Sequence, residues 1–161
     1  TSGLTVFAMH AFAHKQLQKQ LHGDFIREYF AVTKGVPHPA QGTVDAPIMR
    51  AEGPTIKRIV APNGQRAVTH YRVIERMEKF TLIEAQLETG RTHQIRVHMT
   101  YIGHPLLGDM VYGPKKQPVH LEGQALHARV LGFIHPRTGE YLEFEAPLPP
   151  YFKALLEQLR K

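Results

Sequence analysis

The side chains best equipped for chemistry crowd one stretch of the chain. Leu-Glu-Thr-Gly-Arg-Thr-His-Gln-Ile-Arg-Val-His-Met runs over 87–99, and Ile-Gly-His-Pro-Leu-Leu-Gly-Asp follows over 102–109. An alternating strand pattern breaks at Gly90 and a helical pattern begins near Thr92. Backbone N–H groups at a helix start lack intrahelical acceptors and favour anions. Arg91 and Arg96 flank that start with His93 between them. Each Arg offers a planar fork of donors to phosphate or carboxylate and keeps its charge at any accessible pH. The alternative pairs one Arg with an acidic neighbour and leaves the other solvated.

Other candidates read first as structural. His93 and His98 are five apart, and His98 and His104 six apart. Neither spacing matches the i, i+4 zinc pair of a helix, no Glu stands at the required offset, and so no metal site is expected. His127, between Leu126 and Ala128, reads as a hydrogen-bonded core histidine. Asp45 and Asp109 lie in turn-rich contexts, where Asp usually bonds local backbone. In Arg27-Glu28-Tyr29-Phe30-Ala31, Tyr29 and Phe30 point to opposite faces of a strand. One packs in the core and the other faces a groove. A groove-facing Tyr could stack on a nucleobase, but a core or surface Tyr is the commoner case.

The elements that must position these residues follow from periodicity. Gly3 to Met9 reads as a strand already under way at the N-terminus, which implies sequence upstream. Residues 11–22 read as a helix with Phe12, Leu17 and Leu21 apolar and Gly23 as its stop. Ile26 to Thr33 is a strand, and Gly42 to Ile48 a short edge strand, because Pro47 cannot donate to a ladder. Polar 52–65, with Pro54, Pro62 and Asn63-Gly64, reads as a mobile loop with a hairpin turn. Ala67 to Ile74 and Phe80 to Leu87 alternate as paired strands. Thr92 is placed to cap a helix through about Ile102, with Ile95, Met99 and Ile102 on its apolar face. A Gly/Pro-rich loop spans 103–123, a hairpin joins 125–134 to 140–144, and an amphipathic helix closes the chain over 151–161. The expected class is α+β, a mixed, mostly antiparallel sheet with flanking helices.

Composition bounds the rest. The 161 residues suffice for one domain with a sizeable core. No apolar run approaches the roughly 20 residues of a membrane span, so no membrane partner is expected. Cysteine is absent, which excludes disulfides and thiolate metal sites and fits a cytoplasmic location. A net charge of +6 makes a polyanion a candidate partner, against the alternative of an even solubility charge.

The block from Leu87 to Asp109 closely resembles the signature Thr-Gly-Arg-Thr-His-Gln-Ile-Arg-Val-His…Gly-His-Pro…Gly-Asp of the RluA family of RNA pseudouridine synthases. The resemblance covers nearly the whole chain. Arg27 to Gly35 is similar to the family's Tyr-bearing motif, and Gly42 to Ile48 to its Gly-x-Val-Asp-x-Pro-Ile segment. Ala67 to Tyr71 resembles its Ala-x-Thr-x-Tyr strand, and Leu126-His127-Ala128 with Glu145-Ala146-Pro147 its closing hairpin. The resemblance implies a pseudouridine synthase fold with RNA in a basic cleft, and isomerisation of specific uridines in rRNA or tRNA. It implies no metal and no organic cofactor.

Residue by residue, Tyr29 matches the family's active-site Tyr, which stacks on the flipped base and assists proton removal from C5. Arg96 matches the Arg that pairs with the catalytic carboxylate. Arg91, Thr92 and His93 match positions on the cleft wall near RNA backbone. The nucleophilic Asp of His-Arg-Leu-Asp-x-x-Thr-Ser-Gly would stand three residues before Thr1, outside this sequence. Asp24, Asp45 and Asp109 lack that context. The expectation is therefore that residues 1–161 form the larger C-terminal part of a catalytic domain, without a second domain, and are inactive alone. First strands and any upstream RNA-binding domain would lie outside the chain. A noncatalytic RNA-binding module that keeps the cleft is the competing reading.

Overall fold

The computed structural model describes residues 1–161. In chain order the elements are β1 (Ser2–Gly3), α1 (Ala11–Gln20), β2 (Ile26–Lys34), β3 (Gln41–Asp45), β4 (Ile48–Arg50), β5 (Arg58–Val60), β6 (Val68–Arg76), β7 (Phe80–Leu87), α2 (Gln94–Tyr101), β8 (Leu126–Ile134), β9 (Tyr141–Glu145) and α3 (Pro150–Arg160). This is an α+β fold around a mixed, mostly antiparallel sheet, ordered β1-β8-β2-β7-β6-β3 with β9 on β8. The four strands of eight or nine residues carry it. Their alternation puts two apolar sets on opposite faces. Ala31, Ile83, Ala85 and Tyr71 meet Ile95 and Met99 of α2 on one face. Val32 and Leu82 meet Phe152, Leu155 and Leu156 of α3 on the other.

One row across the α2 face matters for the site. Gly3 pairs with Ala128, Ala128 with Tyr29, Tyr29 with Ala85, and Ala85 with Tyr71. Tyr29 thus stands between two alanines, with no bulky neighbour in its row. A register shift between Glu28 and Tyr29 leaves Arg129 of β8 unpaired beside it, a bulge of the kind that re-aims side chains near active sites.

Several expectations are corrected. The N-terminal strand pairs only through Ser2 and Gly3, because β9 takes the same edge of β8 from Val130 to Ile134. Helix α1 ends at Gln20, and Phe12 is 57% exposed rather than apolar packing for it. The segment 52–65 is not one long loop: β5 pairs with β4 in a separate two-stranded sheet. Three-residue strands are too short for alternation to register. The Asn63-Gly64 turn is present, with Gly64 N–H donating to Ala61 O and Gln65 bridging to Ile48. A β-carbon on Gly64 would come within 2.7–2.9 Å of the Ile48 backbone. Gly64→Ala should therefore cost about 1–3 kcal/mol, read as a lowered urea midpoint at unchanged slope.

Candidate active site

Thr92 does not cap α2. The N-cap is His93, in the left-handed region at φ 59°, with no side-chain cap bond. Gln94 instead anchors the turn that precedes the helix. Its Oε1 accepts from Arg91 N–H at 2.9 Å and from Thr89 Oγ1 at 2.7 Å. Its Nε2 donates to Val68 O at 2.9 Å and Thr69 Oγ1 at 3.0 Å. Thr69 Oγ1 bonds His98 Nδ1 at 2.8 Å, and His98 Nε2 bonds Ala46 O at 2.9 Å. Because a carbonyl only accepts, His98 donates from Nε2 and accepts at Nδ1. The chain runs one way from Thr89 to Ala46 and ties α2 to β6 and to the end of β3.

That chain holds His98 neutral. The side chain is fully buried, and burial lowers its pKa, only partly opposed by the Ala46 carbonyl and the Asp45 charge. The unfolded state then binds more protons as pH falls through about 6.5. Stability is fully present above that pH and is lost as pH falls toward the lower folded value. Denaturant midpoints between pH 7.5 and 5.5 should fall, and His98→Gln should flatten the slope.

Arg96 lies two residues before His98 on the same helix and is 9% exposed. It does not stand unpaired: its Nε and Nη2 donate to Asp109 Oδ2 and Oδ1 at 2.7 and 2.9 Å. Asp109 is fully buried and also accepts Val111 and Tyr112 N–H, each at 3.0 Å. The local backbone bonding expected of Asp109 is therefore present, and the ion pair to Arg96 is the addition. Burial pushes the Asp109 carboxyl up, but the hydrogen bonds from Arg96 and the Tyr112 and Val111 amides outweigh it, leaving the pKa below the ordinary value. The same bond raises Arg96 further. Two of the three guanidinium nitrogens are thus committed. Nη1 has no protein partner and is not buried, so one edge of a rigidly held cation is left open.

Tyr29, half-buried, packs against the α2-side core, while Phe30 lies on the α3 side beneath the Arg129 guanidinium at 4.6 Å. The phenol makes no hydrogen bond within the chain, and burial raises its pKa, partly opposed by Arg27. Arg27, two residues back on the same face, is buried with only carbonyl partners: Leu21 O at 3.1 Å and Glu88 O at 3.3 Å. A β-carbon at position 90 would meet its Nη1 at 2.3 Å. Gly90 is the residue that lets this guanidinium pass under the 89–92 turn.

Arg91 and Thr92 line an open hollow of about 390 Å³ with Arg50, Arg58, Asn63 and Gly64. No carboxylate lines it, and none of its three Arg forms an ion pair. Three Arg without a carboxylate partner meet here, whereas Arg66, Arg72, Arg129 and Arg160 are spent on Glu side chains. Arg91 also donates from Nε to Arg66 O at 2.8 Å. His93 bonds Tyr112 Oη at 2.8 Å. Tyr112 and Arg58 belong to the site and carry no local sequence signal for it, whereas Arg27 and Asp109 lie inside the family-like motifs, where the resemblance assigns them no site role. His127 is buried between Ser2 Oγ and Ala146 O, as its strand context indicates. No three His, Cys, Asp or Glu side chains converge as metal ligands would, and no helix is long and apolar enough to cross a membrane.

Comparison with known proteins agrees with this geometry. Residues 1–101 match the RNA pseudouridylate synthase family model. An uncharacterized RNA pseudouridine synthase of Bacillus subtilis is 55% identical over the whole chain, which covers 53% of that protein. Ribosomal large subunit pseudouridine synthase D of Zymomonas mobilis is 46% identical over 99% of the chain and 53% of its own length. The chain spans about half the length of these relatives. The solved structure of human RNA pseudouridylate synthase domain containing 4 superposes with TM-score 0.71 at 28% identity, covering 91% of this chain and 66% of that one. With the family model spanning most of the chain and close relatives spanning all of it, the protein belongs to the RluA-like RNA pseudouridine synthases.

Proposed function

We propose that the whole protein isomerises specific uridines of rRNA or tRNA to pseudouridine in the cytoplasm, and that this chain supplies Tyr29, Arg96 and an RNA-backbone wall to a site whose nucleophile lies outside these 161 residues. The N1–C1′ bond of the uridine breaks, a C5–C1′ bond forms, and the C5 proton is lost while N1 gains one. Tyr29 stacks on the flipped base and assists that proton's departure. Arg96 meets the catalytic Asp through its open Nη1 edge and favours the ionised carboxylate. Arg91, Thr92 and His93, with Arg50 and Arg58, hold the RNA backbone. The observation that carries the reading is the Arg96–Asp109 pair: a buried, doubly fixed guanidinium with one donor edge left open. Flipping the base costs a few kcal/mol and favours targets in loops. No residue of the 161 sits in the His-Arg-Leu-Asp context, so the chain alone is proposed to be inactive.

Tritium release from RNA carrying 5-tritiated uridine tests this. The full-length protein should release it and residues 1–161 alone should not. Release by the 161-residue chain would overturn the missing-nucleophile assignment, and silence of the full-length protein would overturn the isomerase reading. Arg91→Ala should weaken RNA binding uniformly across sequences and reduce the slope of log K against log salt by about 1. An unchanged slope would remove Arg91 from the backbone contacts.

A further inference from the structure

We infer that Tyr112 is a positioning residue that locks His93 as the Nε2–H tautomer, so that His93 gives the bound RNA a neutral hydrogen-bond donor beside Arg96. The inference rests on the RNA reading above and names one interaction within it. His93 is the only non-glycine residue with positive φ, at 59°. Such a conformation is strained in a residue with a β-carbon and persists only where surroundings enforce it. What it achieves is to set the imidazole edge-on to Tyr112, ring centroids 5.6 Å apart at 79°, with Nδ1 2.8 Å from the phenol oxygen.

The proton can be placed from the partners. Arg58 N–H donates to Tyr112 Oη at 2.9 Å, from the separate sheet. The phenol has one proton of its own to give, and His93 Nδ1 is its only acceptor neighbour. Nδ1 therefore accepts, the proton of the neutral ring sits on Nε2, and Nε2 has no protein partner and is not buried. Burial and the nearby Arg96 and Arg58 charges also lower the His93 pKa, against a smaller opposing effect of Asp109. Tyr112 is itself held twice, by its N–H on Asp109 and by the Arg96 guanidinium 5.0 Å over its ring. Arg58, Arg96 and His93 all present donors, and the one acid among them is spent on Arg96. The complementary ligand atom is an oxygen acceptor of the RNA, with a phosphate oxygen as the first source.

The test uses the full-length protein. In ¹⁵N spectra of the imidazoles, wild-type His93 should show the Nε2–H pattern. Tyr112→Phe, which keeps the ring under Arg96, should give a mixture of tautomers. His93→Leu should weaken RNA binding about tenfold, the worth of one neutral hydrogen bond, equally at every salt concentration. His93→Gln, whose amide N–H falls near the Nε2 position, should recover most of the loss. A His93 protonated on Nδ1 in the wild type, binding unaffected by His93→Leu, no recovery with Gln, or a salt slope changed by a full ionic contact would each overturn the inference. Methylphosphonate substitution at the phosphate flanking the uridine separates the sources. If it cancels the His93→Leu effect the acceptor is phosphate, and if the effects add it is a base carbonyl. Should the wild type neither bind RNA nor release tritium, the isomerase reading falls, while the imidazole spectrum still decides whether Tyr112 sets the tautomer.

Discussion

Asp109→Ala in the full-length protein should lose about 3–5 kcal/mol of unfolding free energy, the usual cost of leaving one member of a buried ion pair uncompensated. The expectation rests on a fully buried carboxylate making two short bonds to Arg96 and two to backbone amides. Arg96→Ala should cost a similar amount, because it strands Asp109 instead. The double variant Arg96→Met with Asp109→Leu should be far more stable than the sum of the single losses predicts, since both charges leave together. Urea denaturation of the wild type, the matching single variants Arg96→Met and Asp109→Leu, and the double variant closes the cycle. Additive losses would mean that the pair does not act as a unit. Turnover should fail in all the variants, because Arg96 is the proposed partner of the catalytic carboxylate, so tritium release must be read beside the melting curve. Asp109→Ala that kept full turnover would show that Arg96 needs no second anchor.

Tyr29→Phe should lower tritium release by about 10²–10⁴-fold, the range for losing a positioned proton-transfer group, with a much smaller change in RNA affinity. The ring and its stacking surface survive that substitution, whereas the hydroxyl does not. Tyr29 makes no hydrogen bond within the chain and packs between Ala85 and Ala128, so stability should hold and isolate the chemical effect. If Tyr29→Phe loses affinity and turnover in equal proportion, the hydroxyl binds rather than moves a proton.

Much of this fold is legible in the sequence where periodicity is long. Strands β2, β6, β7 and β8 alternate over eight or nine residues and face two different helices, so their polarity pattern is fixed by burial on both sides. Helix α3 likewise shows its apolar face at Phe152, Leu155 and Leu156. The three-residue strands β4 and β5 leave no such trace, and the Asn63-Gly64 turn is the only local sign of their neighbourhood. At the site, the family resemblance gives roles to Tyr29 and Arg96 and includes Asp109, but does not mark Asp109 as what holds Arg96. The partner of Arg96 comes 13 residues later across a Gly/Pro-rich loop, and Tyr112 reaches His93 only through the tertiary fold. Thr92 looked like the cap because of its type. No side chain makes that cap bond; Gln94 instead turns its side chain back under the helix start to Arg91 N–H, Thr89 and Val68.

The Thr89–Gln94–Thr69–His98–Ala46 chain has a mechanical consequence. A helix pinned by buried bonds on two of its turns can neither roll nor slide without breaking several of them together, at a cost near that of opening the whole domain. The helix that carries Arg96 is therefore a stiff support. The small β4–β5 sheet is carried with it, because Ile48 and Val60 pack against Val97 of that helix and Arg58 N–H is held by Tyr112.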